Sequence, residues 1–168
     1  LGVHHYTLDF MDIFKKNVVD DFSKEYLSGR TPNPCVRCNS IVKWETLLQQ
    51  ADIFGINYIA TGHYARVQHE KDDSYLLKGT DELKDQSYML WQINREALKR
   101  TLLPLGEMTK AETRDYAKVN NLETAQTPES MDLCFVNGDD YSKFLSEIMQ
   151  EKMNSVTLGN IIVELGTY

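Results

Sequence analysis

INYIATGHYARV, residues 56–67, carries the fold decision for the chain. Its first five residues read as a short, buried type of strand, and Gly62 then breaks the run. A strand whose carboxyl end opens into a loop suits a doubly wound sheet, where ligands collect at that edge. His63, next in line, would project over the edge, as a site residue or as a satisfied loop histidine. Downstream, ARVQHEKDDSYLLKG (65–79) predicts a hairpin with a charged turn around Lys71 to Ser74.

Upstream, Phe10, Phe14, Val18, Phe22 and Tyr26 recur every fourth residue, one apolar stripe along a helix that Gly29 can end. Pro32 and Pro34 stop that helix, which leaves Cys35 on a stiff loop. A second helix is expected from about Ser40 to Phe54, with Trp44, Leu47, Leu48 and Ala51 inward and Gly55 as its stop. Asp85 to Ile93 is a candidate helix that Asp85 could cap, and Thr109 with Glu112 forms a capping box for another. ESMDLCFV (129–136) reads as a loop or short strand. Asp139 or Asp140 would cap a last helix to about Lys152, and a strand and turn follow from Val156.

The 168 residues are 42% hydrophobic, enough for one sizeable core. No apolar run is long enough to span a membrane. A formal charge of −7 argues against a generally adhesive nucleic-acid binder but leaves room for a local basic face, for which Arg95, Lys99, Arg100, Lys110, Arg114 and Lys118 are the candidates. Three cysteines, an odd number, fit a reducing cytoplasm better than a secreted disulfide framework.

Cys35 and Cys38 have the spacing of half a metal clamp, with no second pair to complete a structural zinc site. An iron–sulfur cluster on Cys35, Cys38 and Cys134 is stereochemically allowed. A redox pair within the motif is another reading, although the double proline is foreign to thioredoxin-like sites. A fourth pairs Cys38 with Cys134, one thiol carrying a sulfur that the other releases. For Cys134, between Leu133 and Phe135, burial as a small hydrophobe is the default.

Five strings in order, GRTPNPCVRCN, ATGHYARV, KDQSYML, PLGEMTKAETRDYA and ESMDLCFV, closely resemble the tRNA-specific 2-thiouridylases, the MnmA/TrmU family. The resemblance implies an enzyme that replaces the C2 oxygen of a tRNA wobble uridine with sulfur at the expense of ATP, with magnesium as counter-ion and no tightly bound metal. It implies an α/β catalytic domain of the adenine-nucleotide α-hydrolase-like, doubly wound kind, then a small central β-rich domain and a barrel. By the same resemblance Cys38 is the catalytic thiol and Cys134 receives a persulfide from a sulfur-relay protein. Asn33, Pro34 and Cys35 would line the target-base pocket, Gly62 would meet ATP, and His63, Lys84, Asp85 and Gln86 would meet tRNA. One branch of the family has aspartate where this chain has Cys35.

The family's SGGVDS-type pyrophosphate loop is absent from the sequence. The expectation is that residues 1–152 are the latter part of the catalytic domain and 153–168 the opening of the central one, in a cytoplasmic enzyme. This piece alone would then lack thiolation activity. The rival reading is an RNA-interaction module holding zinc or an iron–sulfur cluster on the three cysteines; a third is a relative of argininosuccinate synthase, which would need no thiols.

Overall fold

A strict four-residue apolar period overshoots the 3.6-residue α-helical turn, and the chain meets it by changing helix type in mid-course. In the computed structural model, which describes residues 2–127, 133–136 and 141–155, α1 (Met11–Phe14) passes through a π-helical stretch, Lys15–Val19, into α2 (Asp20–Leu27). The longer π turn takes up the surplus residues. Val18 and Phe22 are buried and Phe10 and Phe14 half-buried, while Tyr26 at the end is exposed. Gly29, at φ +79°, closes the helix as expected.

The second helix begins at Pro34 rather than near Ser40, so Cys35 is not on a loop. α3 (Pro34–Arg37) leads into a π-helical stretch, Cys38–Thr46, and then α4 (Leu47–Ile53). Proline lacks only an amide that the first helical turn leaves unpaired anyway, and its φ is already helical. Pro34 therefore starts the helix. Trp44, Leu48 and Ala51 face inward as expected, with Leu47 half-buried, and Gly55 at φ +68° follows the end.

β1 (Ile59–Ala60) comes next, then β2 (Ala65–His69) and β3 (Ser74–Lys78), a 3₁₀ turn Ser87–Leu90, α5 (Arg95–Lys99) and β4 (Thr101–Leu102). β2 and β3 make the expected antiparallel hairpin, Ala65 opposite Lys78 and His69 opposite Ser74. β1 and β4 pair in parallel, Ile59 with Thr101 and Ala60 with Leu102. A parallel pair needs a crossover, and everything between residues 61 and 100 is that crossover. Of the helix expected over Asp85 to Ile93, only the short 3₁₀ turn at Ser87–Leu90 forms, and no side chain caps it.

Trp44, Leu48, Ala51, Ile59, Ala65, Leu90 and Ala97 form the core between the helices and this sheet. Trp44 donates its buried Nε1–H to Thr101 Oγ1 at 2.7 Å, and that hydroxyl donates to the Ala97 carbonyl at 2.8 Å. Arg100 donates to the Asn57 carbonyl at 2.8 Å and to Asp52 Oδ1 at 2.6 Å, tying α4 to the entry of β1. α6 (Lys110–Val119) opens on the expected capping box, Glu112 N–H donating to Thr109 Oγ1 at 3.2 Å and Thr109 N–H to Glu112 Oε2 at 2.7 Å.

The chain divides into two compact units, Leu1–Ser130 and Met131–Tyr168. In the second, a turn closed by Val136 N–H on the Leu133 carbonyl (3.0 Å) precedes α7 (Tyr141–Ser155). Phe135 sets its ring 5.5 Å from that of Phe144 on α7. The expected cap at Asp139 or Asp140 and the strand after Val156 lie outside the described residues.

Candidate functional site

The N-terminal end of α3 is built by Asn33. Its Oδ1 accepts from Cys35 N–H at 3.1 Å, capping the helix, while its Nδ2 lies 3.5 Å from Met89 Sδ in the 3₁₀ turn. Pro34 is buried at the first helical position; Cys35 is exposed and Cys38 half-buried. Positions three apart on a helix share a face, which places both thiols on one side of the helical run that starts at Pro34. Asn39, buried, donates its Nδ2 to the Met89 carbonyl at 3.0 Å, and its Oδ1 makes no hydrogen bond among the described residues. Arg37 fastens the other side to the first helix, 3.0 Å from Asp21 Oδ2.

The loop after β1 is clamped from three directions. Gln86 bonds Tyr64 twice, accepting its N–H on Oε1 (2.9 Å) and donating its own N–H to the Tyr64 carbonyl (2.8 Å). Gly79 and Gly106 press against the same segment: a Cβ on Gly79 would stand 2.7 Å from Tyr64 O, and one on Gly106 1.9 Å from Ala65 O. Only glycine allows backbone this near. Gly62 is different, because an added Cβ would meet only Leu105 Cδ1, at 3.5 Å. Packing does not require glycine there, and room for an approaching ligand is the fit that an ATP contact needs.

Asp85 gathers the surroundings of Gly79. Its carboxylate accepts from Gly79 N–H (2.8 Å), from Ser87 Oγ–H (2.7 Å) and from Ser87 N–H (3.3 Å). Burial pushes its pKa up, but these donors, with Lys78 nearby, outweigh it and hold the carboxyl below its ordinary range. His63 moves further. Burial first and the Lys43 ammonium second lower it to about 4, so the ring is neutral near pH 7. It lies 5.5 Å from the Trp44 indole, with Nδ1 2.8 Å from Thr61 Oγ1.

Met89 joins the cysteine helix to the KDQ segment, and Gln86 joins that segment to the loop of Gly62 and His63. Hydrogen bonds thus link Asn33 and Asn39 through Met89 and Gln86 to Tyr64, while Pro34, Cys35, Cys38, Gly62, His63 and Asp85 flank these residues in sequence and Lys84 is half-buried. Asp85 and Gln86 direct their side chains to Gly79, Ser87 and Tyr64 of the chain itself. Cys134 is exposed on its turn in the second unit, against the expectation of burial, because Phe135 and Val136 take up the apolar contact instead.

The basic face expected between Arg95 and Lys118 is largely committed to local acids: Arg95 meets Asp73 (2.8 Å), Lys99 Glu96 (2.9 Å), Arg100 Asp52 (2.6 Å) and Lys118 Asp115 (3.0 Å). Lys110 sits over the Tyr64 ring, 5.4 Å from its centroid. Among the described residues no three His, Cys, Asp or Glu come together as a metal set. No helix among them is long and apolar enough to cross a membrane. Met89, Asn39 and Tyr64 are the connecting residues that sequence reasoning missed; the one available signal was the place of all three inside recognised strings.

A family model described as "tRNA methyl transferase HUP domain" matches residues 1–138. Among curated proteins, the tRNA-specific 2-thiouridylase MnmA of Carboxydothermus hydrogenoformans is 48% identical over 155 residues, 91% of this chain and 42% of the relative. Those of Acetivibrio thermocellus (45% identical; 96% of this chain, 47% of the relative) and Amoebophilus asiaticus (44%; 99% and 45%) are similar. The chain spans under half the length of these relatives.

Proposed function

The chain belongs to the tRNA methyl transferase HUP domain family, an α/β Rossmann-like fold, and from that premise we propose that the whole protein is a tRNA-uridine 2-sulfurtransferase. The observation that supports the reading is the meeting of three separate sequence strings at Met89, Gln86 and Tyr64. Relatives bearing the name tRNA-specific 2-thiouridylase support the substrate class.

ATP, bound at the Gly62 loop with magnesium as its counter-ion, would supply the adenylyl group, with pyrophosphate released, that makes the uridine C2 oxygen a leaving group. The chain's own residues do the rest. Asn33, Pro34 and Cys35 receive the extruded base on a capped, proline-started helix end. His63, Lys84, Asp85 and Gln86 hold the tRNA side of the loop; since Asp85 and Gln86 spend their side chains internally, they act by shaping it. Cys134 carries a persulfide from a sulfur-relay donor protein. Its outer sulfur becomes bonded to C2 as AMP leaves, Cys38 thiolate bonds to the inner sulfur as the S–S bond breaks, and a Cys38–Cys134 disulfide remains for a dithiol to reduce. Residues 153–168 would open a small central β-rich domain.

Replacing Cys38 or Cys134 by serine in the whole protein removes thiolation of tRNA, read as loss of retardation in a mercury-containing gel. Full retardation with either variant overturns the two-thiol scheme. Methyl transfer, the activity in the family's description, would instead leave a methylated nucleoside in the digest and no need for either thiol.

A further inference from the structure

The 3₁₀ turn at Ser87–Leu90 has three residues per turn, so it presents three faces, each made of residues three apart. Two of them are accounted for. Ser87 bonds Asp85 and Leu90 is 1% exposed in the core; Gln86 bonds Tyr64 and Met89 receives Asn33 and Asn39. The third consists of Tyr88, 65% exposed, and Trp91, 60% exposed. Trp91 continues the turn at φ −63° and ψ −22°, within the 3₁₀ range, so both rings leave the same side.

We propose that Tyr88 and Trp91 form a stacking platform for an unpaired RNA nucleotide next to the base held at Asn33 and Cys35. The spacing suits it. One 3₁₀ turn separates the two side-chain origins by about 6 Å, and a flat base in van der Waals contact with a ring on each side needs about 7 Å. Position adds the second argument, because Met89, between the two aromatics, is the residue that the Asn33 and Asn39 side chains contact. A base drawn out of its stack leaves its neighbours without stacking partners, and exposed aromatic rings replace such partners with little regard to base identity. The platform therefore anchors the strand and leaves sequence selection to other contacts.

The inference rests on the RNA-modifying reading above, and one experiment separates the two. Trp91 and Trp44 are the two tryptophans of the chain, and Trp44 is 1% exposed. Subtracting the emission of a Trp91→Phe variant from that of the whole protein isolates the Trp91 signal. The probe is a labelled synthetic anticodon stem–loop with an unmodified wobble uridine, its binding followed independently by anisotropy. The expected result is quenching of the Trp91 signal and shielding from iodide on binding. Tyr88→Ala and Trp91→Ala should each weaken affinity roughly tenfold, while Tyr88→Phe and Trp91→Phe, which keep a ring, stay near wild type and all variants unfold at the same temperature. RNA that binds with Trp91 emission and iodide access unchanged overturns the platform and leaves the enzyme reading standing. Shielding of Trp91 before RNA is added also overturns it, since the face is then covered by protein. Absence of binding by every form, wild type included, removes the RNA reading and the platform together.

Discussion

His63 shows how one side chain can report on its surroundings through pH. Its ring is neutral in the fold because burial and Lys43 hold its pKa at about 4, whereas an unfolded histidine titrates near 6.5. Between those values the unfolded chain binds a proton that the folded chain refuses. Stability is therefore full above about pH 6.5 and falls as the pH drops toward 4. Urea unfolding at pH 7 and pH 5 should show this loss in the wild-type chain and a smaller one in His63→Gln. Equal losses in the two proteins would mean that His63 is hydrated and titrates normally. Asp85 behaves in the opposite sense locally, because its donors favour the charged form and make it part of the scaffold rather than a proton carrier.

At the scale of elements, the glycines separate architecture from ligand approach. Gly106→Ala drives a Cβ into the Ala65 carbonyl, where backbone must move, and a destabilisation of about 1–3 kcal/mol or more is expected. Gly62→Ala meets one leucine methyl at contact distance and should change stability by less than about 0.5 kcal/mol while weakening ATP binding in the whole protein. Chemical denaturation of the pair, with nucleotide titration of the Gly62 variant, reads both effects. A stable Gly106→Ala protein would contradict the clamp on the β1 loop, and undiminished nucleotide affinity in Gly62→Ala would remove the ligand reading of that glycine.

Elements were legible in the sequence where one local rule acted alone. The hairpin, the α6 capping box and the Gly29 and Gly55 helix ends follow from turn chemistry within a few residues. The start of α3 was misread because proline has two meanings, breaker in a helix interior and starter at its first turn, and only the Asn33 cap decides between them. The π stretches left a trace, the four-residue period, that a helix template reads as ordinary. β4 escaped notice because a two-residue strand carries too little pattern to distinguish it from the helix end before it.

On the scale of the whole molecule, the site was legible as strings but not as a neighbourhood. Nothing in KDQSYML announces that Met89 touches Asn33 and Asn39, or that Gln86 brackets Tyr64, since those contacts arise only when the crossover between β1 and β4 closes. Larger still is the proposed mechanism, in which thiols from two compact units, Cys38 in the first and Cys134 in the second, act on one nucleobase. The most direct measurement is mild oxidation of the whole protein loaded with tRNA, followed by non-reducing peptide mapping. A Cys38–Cys134 linked peptide that a dithiol abolishes is the expected result; repeated trapping in which these two cysteines never join would overturn the two-thiol mechanism.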